Sequence, residues 1–378
     1  MIIGVPTETA EGEKRVGLVP ESISKLKGAQ IHVQAGAGKN AGIADSDYEA
    51  AGATIEKDAE SLYSASDFIV KVQPLATEEA DMLKQGASVV SFLYPLLHLE
   101  TIRKLTERES TAFAMELMPR ISRAQSMDAL SSQSMVSGYK AVLIGADSLP
   151  KLFPLLMTAA GTVAPAKVFV LGAGVAGLEA IATARRLGAV VEAYDVRPVV
   201  KEQIESLGAK FVELPIEAKD AQTSGGYAKA QSEEFYKKQQ ELLASHAAQS
   251  DVVITTALVP GSKAPQLLSE DAVKRMRGGA VIVDIAAEQG GNCALTEPGK
   301  TVVKYGVTIH GPLNIPSSLA PQASQLYSRN VTTFILTMLK DGSLKPDPSD
   351  DLVKGTMVVQ QGKVLHEPTK VALGGAQR

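Results

Sequence analysis

A glycine-rich turn between two apolar segments, within residues 167–195, constrains the fold of this chain more than any other feature. The segment reads KVFVLGAGVAGLEAIATARRLGAVVEAYD. Residues 167–171 form a short apolar run typical of a buried parallel strand. Apolar residues then recur at helical spacing, and residues 190–194 form a second apolar run. This strand–turn–helix–strand order predicts an α/β fold with a parallel sheet.

The turn holds three glycines at G-x-G-x-x-G spacing, and each has a physical role. Gly172 permits the tight turn out of the strand, Gly174 has no Cβ and lets a pyrophosphate approach the backbone, and Gly177 lets the helix pack close to the strand. The helix that starts near Val175 offers unpaired N–H groups and a partial positive charge to phosphates. The turn therefore predicts a dinucleotide site.

An acid at the tip of the second strand indicates which dinucleotide is preferred. Asp195 follows Gly177 by 18 residues, where a carboxylate accepts hydrogen bonds from the adenosine ribose and repels a 2′-phosphate. Arg197 argues the other way, but we give Asp195 more weight and predict NAD(H). Val196 and Ala257 complete the predicted cofactor contacts. The alternative, a glycine turn that binds nothing, leaves the spacing of the acid to chance.

Composition excludes several classes of protein. A chain of 378 residues should hold about two domains. The net charge of −4 gives no electrostatic case for nucleic-acid binding. Cys293 is the single cysteine, which excludes an internal disulfide framework, and the five histidines are scattered, so we predict no metal site. No apolar run approaches the roughly 18 residues of a membrane span, which predicts a soluble chain.

The remaining pattern predicts two Rossmann-like, doubly wound α/β domains with a deep interdomain cleft. We place the NAD(H)-binding domain at residues 136–319, inserted into a first domain formed by residues 1–135 and 320–378. The first domain repeats the strand–helix rhythm without a dinucleotide fingerprint. We predict a polar loop over residues 119–133, a helix over 152–163 and a long polar loop over 217–232.

Several stretches resemble the alanine dehydrogenase and nicotinamide nucleotide transhydrogenase superfamily. They are GVPTETAEGEKRVGLVP at the start, KVQP at 71–74, FLYPLLHLE at 92–100 and the glycine segment itself. Two further stretches resemble the NAD(H)-binding component of proton-translocating transhydrogenase: PRISRAQSMDALSSQSMVSGYKAV and SGGYAKAQSEEFYKKQQELL. The resemblance covers nearly the whole chain.

This resemblance implies direct hydride transfer between two nicotinamides. This chain would hold NAD(H), a separate component would hold NADP(H), and a membrane-spanning component would couple the redox step to proton movement. The chain would then be cytoplasmic, held at the inner face of the bacterial membrane through these partners. The resemblance also assigns residues: the polar loop supplies the catalytic set, and Gly226 and Tyr227 belong to a mobile loop that covers the nucleotide. The catalytic set is Arg120, Gln125, Asp128 and Ser131.

The chemistry of the polar loop agrees with that assignment. Hydride transfer between cofactors requires positioning rather than a protein nucleophile or a general base. Gln125 offers a donor and an acceptor for a carboxamide or a ribose hydroxyl, and Arg120 with Asp128 forms a pair that fixes the loop. The alternative is a solvated interdomain linker. Tyr227 has a similar alternative, an ordinary exposed aromatic residue, although long loops often act as lids.

The rival function is that of an alanine dehydrogenase, which reduces pyruvate with ammonia and NADH. The resemblance matches its substrate residues to Arg15, Lys71 and His98, which suit a carboxylate, a carbonyl and proton transfer respectively. Structural readings are a solvated Arg15, a Lys71 whose ammonium reaches the surface and a His98 at a helix start. A third class, a non-catalytic NAD-sensing scaffold, gives no reason for the polar loop. Interdomain apolar surface indicates a homodimer.

Overall fold

The chain folds into two compact units, each built from alternating strands and helices. The computed structural model describes residues 1–214, 232–258 and 263–375. One unit comprises Met1–Gln133 and Pro316–Arg378, and the other comprises Ser134–Ile315. The predicted α/β class with two domains is confirmed.

The regular elements of the described residues are numbered in chain order. The strands are β1 (Ile2–Val5), β2 (Gln30–Gln34), β3 (Thr54–Glu56), β4 (Phe68–Val70), β5 (Ser88–Ser91), β6 (Thr111–Ala114), β7 (Leu156–Thr158), β8 (Gly161–Val163), β9 (Lys167–Leu171), β10 (Val190–Tyr194), β11 (Lys210–Phe211), β12 (Val252–Thr255), β13 (Val281–Asp284), β14 (Thr301–Lys304), β15 (Val307–His310), β16 (Leu339–Lys340), β17 (Ser343–Leu344), β18 (Met357–Gln360) and β19 (Lys363–Val364). The α-helices are α1 (Pro20–Ile23), α2 (Asp45–Ala50), α3 (Ala59–Ala65), α4 (Thr77–Met82), α5 (Leu99–Glu107), α6 (Ala129–Ser148), α7 (Val175–Arg186), α8 (Lys201–Ser206), α9 (Glu233–Ala247), α10 (Glu270–Lys274), α11 (Ala320–Met338), α12 (Asp351–Thr356) and α13 (Glu367–Gly375). Short 3₁₀ helices span Lys39–Ala41, Met115–Leu117, Ser122–Met127, Pro198–Val200, Ala287–Gln289 and Ile315–Leu319.

The first unit is organised around a mixed sheet in the order β3-β2-β1-β4-β5-β6-β18-β19. Strands β1 to β6 pair in parallel, whereas β18 is antiparallel to β6 and forms a hairpin with β19. The strand order reverses beside β1, so the carboxyl ends of β1 and β4 form the switch point where such sheets bind ligands. On one face of the sheet, Phe334 of α11 packs edge-on against Phe113, with ring centroids 5.6 Å apart.

The second unit is organised around a sheet in the order β11-β10-β9-β12-β13-β15-β14. All neighbours pair in parallel except β14, which is antiparallel to β15. Helices cover both faces, so central strands such as β9 are buried along most of their length, which explains their continuous apolar sequence. The order reverses between β9 and β12, and their carboxyl ends therefore form the switch point of this unit.

The predicted helix over residues 152–163 is wrong. Strands β7 and β8 form an antiparallel hairpin there, with Thr158 opposite Gly161. Gly161 has a φ of 120°, and Pro154 lacks an N–H, so both residues oppose a continuous helix. Much of the hairpin is exposed, and Met157 keeps 81% of its surface in solvent. Apolar content alone does not distinguish a short helix from a hairpin.

The predicted irregular loop over residues 119–133 is partly wrong as well. Residues Ser122–Met127 form a 3₁₀ helix, and α6 already begins at Ala129. The tail after residue 340 contains α12 and α13 besides the predicted strand β18. Within the described ranges, none of the helices combines the length and apolarity needed to cross a membrane.

Candidate dinucleotide-binding site

The turn after β9 has the geometry that the glycine spacing predicts. Gly172 has a φ of 96°, a left-handed conformation that residues with a Cβ rarely adopt. Its N–H donates a 2.9 Å hydrogen bond to the carbonyl of Tyr194, at the end of β10. The turn is therefore fixed to the neighbouring strand as well as to its own.

Gly177 allows α7 to lie against this turn. A Cβ on Gly177 would stand 1.9 Å from the carbonyl oxygen of Gly172, so no side chain fits. The hydroxyl of Thr256, which follows β12, donates to the same carbonyl oxygen at 3.0 Å. Sequence reasoning missed Thr256, because only the pairing of β9 with β12 brings this residue to the turn.

Gly174 stands at the open end of the site, where it caps the N-terminus of α7. No heavy atom lies within 4 Å of the position that a Cβ on Gly174 would take, and Val175 beside it is also exposed. The first N–H groups of a helix have no partner within the helix, and its dipole favours an anion there. A pyrophosphate group fits this open backbone, which the Gly174 side of the turn leaves unobstructed.

Asp195 is buried at the carboxyl end of β10 and joined to the glycine turn. Its Oδ2 accepts a 2.7 Å hydrogen bond from the N–H of Ala173. Its Oδ1 and Oδ2 also accept bonds of 2.8 Å each from the Nε and Nη2 atoms of Arg197. This hydrogen bonding raises the pKa of Arg197 further above its ordinary value. Val196 lies half-buried between the two.

A chain of hydrogen bonds positions Ala257 beside the turn. The side chain of Asn292 accepts from the N–H of Ala257 at 3.0 Å and donates to its carbonyl at 2.8 Å. Asn292 is in turn fixed by the buried carboxylate of Asp284, which accepts from its N–H at 2.8 Å and from that of Cys293 at 3.0 Å. Burial raises the pKa of the Cys293 thiol to about 11, so it stays neutral. Asp284 and Asn292 therefore fix the edge of the switch point.

The polar residues predicted for catalysis belong to the other unit. Arg120 and Gln125 are exposed, whereas Asp128 and Ser131 are half-buried. Asp128 caps α6: its Oδ1 accepts from the N–H of Ser131 at 2.9 Å, and its Oδ2 accepts from the Ser131 hydroxyl at 2.6 Å. This is a helix N-cap, a role for Asp128 that sequence reasoning missed although an acid three residues before a serine signals it.

Helix α11 holds this segment in place. The amide of Asn330 donates to the carbonyl of Ser126 at 2.9 Å and accepts from the hydroxyl of Ser132 at 2.7 Å. Arg123 forms an ion pair with Asp350, at the start of α12. None of these positioning contacts was predicted, since they join residues more than 190 positions apart in the chain.

Arg15 and Lys71 are buried in ion pairs, so the structural readings of a solvated Arg15 and of a Lys71 reaching the surface are wrong. The Arg15 guanidinium donates to both oxygens of Glu13, at 2.8 and 2.6 Å. The Lys71 ammonium is fully buried and donates to both oxygens of Glu79, at 2.7 Å each. Both pairs lie beyond the carboxyl ends of β1 and β4. His98 lies exposed directly before α5.

Two predicted contacts, Gly226 and Tyr227, lie outside the described residues. Among the residues that are described, no group of three His, Cys, Asp or Glu side chains has an arrangement that holds a metal ion.

The fold places this chain in the class of α/β proteins with two doubly wound domains. Comparison with known families narrows the class. Residues 4–137 match the alanine dehydrogenase/PNT N-terminal domain, and residues 141–367 match the alanine dehydrogenase/PNT C-terminal domain. The chain belongs to the alanine dehydrogenase/PNT family, and the resemblance found in the sequence is confirmed.

Individual relatives separate the two branches of the family. The chain is 50% identical to the first portion of NAD(P) transhydrogenase subunit alpha of Rhodospirillum rubrum, over 97% of this chain and 98% of that one. A solved transhydrogenase from Sinorhizobium meliloti is 44% identical with a TM-score of 0.87, covering 97% of this chain and all of the other. A solved L-alanine dehydrogenase is 28% identical with a TM-score of 0.83, covering 99% of both chains. The transhydrogenases are therefore the more similar branch.

Proposed function

We propose that this chain binds NAD(H) and presents its nicotinamide for direct, reversible hydride transfer to NADP⁺ held by a partner component. The observation that carries the proposal is the joined site of the second unit. In it, the open N-terminus of α7 at Gly174 and the buried carboxylate of Asp195 are linked through Ala173. We assign the NAD(H) domain to residues 136–319. The identity to the transhydrogenase subunit supports the choice of reaction.

The residues of this chain act by binding and orienting. The bound cofactor supplies the hydride chemistry. The Gly174 end of α7 would hold the pyrophosphate, and Asp195 would hold the adenosine ribose. On this proposal Arg120, Gln125 and Ser131 make polar contacts that orient the nicotinamide. Asp128 supports them by capping α6 through Ser131.

The contacts of Arg15 and Lys71 weigh against an alanine dehydrogenase. A substrate carboxylate at Arg15 would have to displace Glu13, which takes two donors of the guanidinium, and Gln133, which accepts from a third at 2.9 Å. A substrate carbonyl at Lys71 would have to displace Glu79. Removing a charge from a buried pair without replacing it costs roughly 3–5 kcal/mol. The unit therefore satisfies both cations internally.

Partner components complete the proposed function. One component holds NADP(H), and a membrane-spanning component couples the redox step to proton translocation. The chain then works in the cytoplasm, at the inner face of the bacterial membrane. The homodimer is also part of the proposal: the β7–β8 hairpin exposes Leu156 and Met157, although an isolated hairpin is marginally stable in water. A second copy of the chain is the occupant we infer.

Two measurements on the purified chain test the proposal. Titration with NADH, followed by nicotinamide fluorescence, should show saturable binding, and no tryptophan is present to interfere. The same NADH should not be oxidised when pyruvate and ammonium are added. Rapid oxidation would replace the proposal with an alanine dehydrogenase, and absence of NADH binding would remove the nucleotide site. Sedimentation velocity of Met157→Glu, which should be monomeric, tests the dimer separately.

A further inference from the structure

The carboxylate that is to bind ribose is already fully engaged. Its Oδ1 accepts from the backbone N–H of Arg197 at 2.9 Å and from Nε at 2.8 Å. Its Oδ2 accepts from the N–H of Ala173 at 2.7 Å and from Nη2 of Arg197 at 2.8 Å. A carboxylate offers about four lone-pair positions, two on each oxygen. Asp195 therefore has no acceptor position left for an added donor.

The four donors differ in their freedom to leave. The N–H groups of Ala173 and Arg197 belong to the backbone and are fixed by the turn and by the end of β10. The Nε and Nη2 atoms sit on a flexible side chain, which keeps 18% of its surface exposed against 7% for the Asp195 side chain. A ribose offers two hydroxyl donors, and the Arg197 guanidinium holds two acceptor positions. The guanidinium is thus the group that a ribose would exchange with.

The exchange has a definite energetic direction. The bidentate Arg197 pair is charge-assisted and is stronger than one between neutral groups. Hydroxyl donors from a ribose are neutral, so they replace the guanidinium only because the rest of the nucleotide binds elsewhere on the site. Part of the binding free energy of the nucleotide must then be used to displace Arg197.

We propose that Arg197 is an affinity-determining residue that occupies Asp195 in the nucleotide-free chain and must leave it when NAD(H) binds. This inference rests on the proposed NAD(H) site and names a regulator within it. Arg197 does not contribute to ribose recognition; it competes with it. Removing the guanidinium should consequently tighten the binding of NADH rather than weaken it.

The test compares NADH dissociation constants of the full chain, measured by nicotinamide fluorescence, for three variants. Arg197→Gln removes the charge and the paired donors, and we expect it to bind NADH about threefold to tenfold more tightly than the unmodified chain. Arg197→Lys keeps the charge without the fork and should fall between the two. Arg186→Gln makes the same change of charge in the last turn of α7, where Arg186 is 74% exposed, and should leave the constant unchanged. Equal or weaker binding by Arg197→Gln would overturn the inference.

A second measurement needs no substitution and covers the case of a variant that folds poorly. The Nε–H resonance of Arg197 in a ¹⁵N spectrum of the unmodified chain should shift and exchange faster with solvent when NADH saturates the site. An unchanged resonance at saturation would contradict the displacement. If the unmodified chain binds no NADH, the proposed function fails. Binding regained in Arg197→Gln would still support the competition, and none in either chain would refute it.

Discussion

The backbone N–H of Ala173 donates a 2.7 Å hydrogen bond to Oδ2 of Asp195. This bond joins the turn that faces the pyrophosphate position to the acid that faces the ribose position. The two halves of the candidate site therefore have a fixed spacing before any nucleotide arrives, and such preorganisation reduces the cost of binding.

Asp195→Asn should reverse the nucleotide preference. The amide keeps the shape of the side chain but loses the negative charge and one acceptor oxygen, so NADH affinity should fall by roughly tenfold to a hundredfold. NADPH affinity should rise, because the repulsion of a 2′-phosphate is removed. Fluorescence titration with both nucleotides measures the ratio. Glu213→Gln, an exposed change in the same unit, is the matched control. An unchanged ratio in Asp195→Asn would exclude ribose recognition by this acid.

Alanine substitutions at Gly174 and Gly177 should separate binding from stability. A Cβ on Gly174 meets no atom, so Gly174→Ala should keep the melting temperature and lose NADH affinity. A Cβ on Gly177 meets the Gly172 carbonyl oxygen at 1.9 Å, so Gly177→Ala should lower the free energy of unfolding by about 1–3 kcal/mol or more. Thermal unfolding and NADH titration of both variants provide the comparison. Full affinity in Gly174→Ala would place the pyrophosphate elsewhere.

The Lys71–Glu79 pair should behave as a buried structural pair rather than as a catalytic one. Lys71→Met leaves the Glu79 carboxylate buried without its cation and should lower the free energy of unfolding by roughly 3–5 kcal/mol. The double variant Lys71→Met with Glu79→Leu removes both charges and should recover most of that loss. Urea denaturation measures each value. The double variant should also retain NADH binding, and loss of binding without loss of stability would point to a direct role for Lys71.

Glu8 should make the stability of the first unit depend on pH. Burial raises the pKa of Glu8 to about 7, although Lys71 nearby lowers it. The folded state therefore holds a proton between pH 4.5 and 7 that the unfolded state releases. Stability from this group is fully present below pH 4.5 and is lost as the pH rises through 7.

Urea midpoints of the unmodified chain and of Glu8→Gln, measured from about pH 4.5 to 8, test this assignment. The glutamine variant should lose the decline that Glu8 causes, whereas the exposed control Glu60→Gln should keep it. Parallel curves for all three chains would show that Glu8 does not titrate in this range.

The parts of the site that were predictable from the sequence are the local ones. Gly172, Gly174 and Gly177 must lie together because one turn contains them, and the strand that ends at Tyr194 carries Asp195 to the same edge. These features follow from spacing along the chain, without knowledge of tertiary contacts.

The remaining features depend on contacts between distant residues or on small differences in backbone preference. Thr256 reaches the glycine turn only through the pairing of β9 with β12. Glu79 neutralises Lys71 only in the folded unit. The helix predicted at residues 152–163 is wrong because an apolar run with one glycine fits a helix and a strand pair equally well. The start of α6 was not predicted because the sequence suggests an ion pair for Asp128 as readily as a helix cap.

The most direct test of the central claim is hydride transfer in a reconstituted mixture. NADH is bound to this chain, and an NADP(H)-binding transhydrogenase component loaded with thio-NADP⁺ is added, so that reduction of the thio analogue is read at its own wavelength in a stopped-flow instrument. The account predicts rapid reduction that requires both proteins and is slowed by Gln125→Ala. Saturable NADH binding with no reduction in the mixture, or oxidation of NADH by pyruvate and ammonium without the partner, would contradict it.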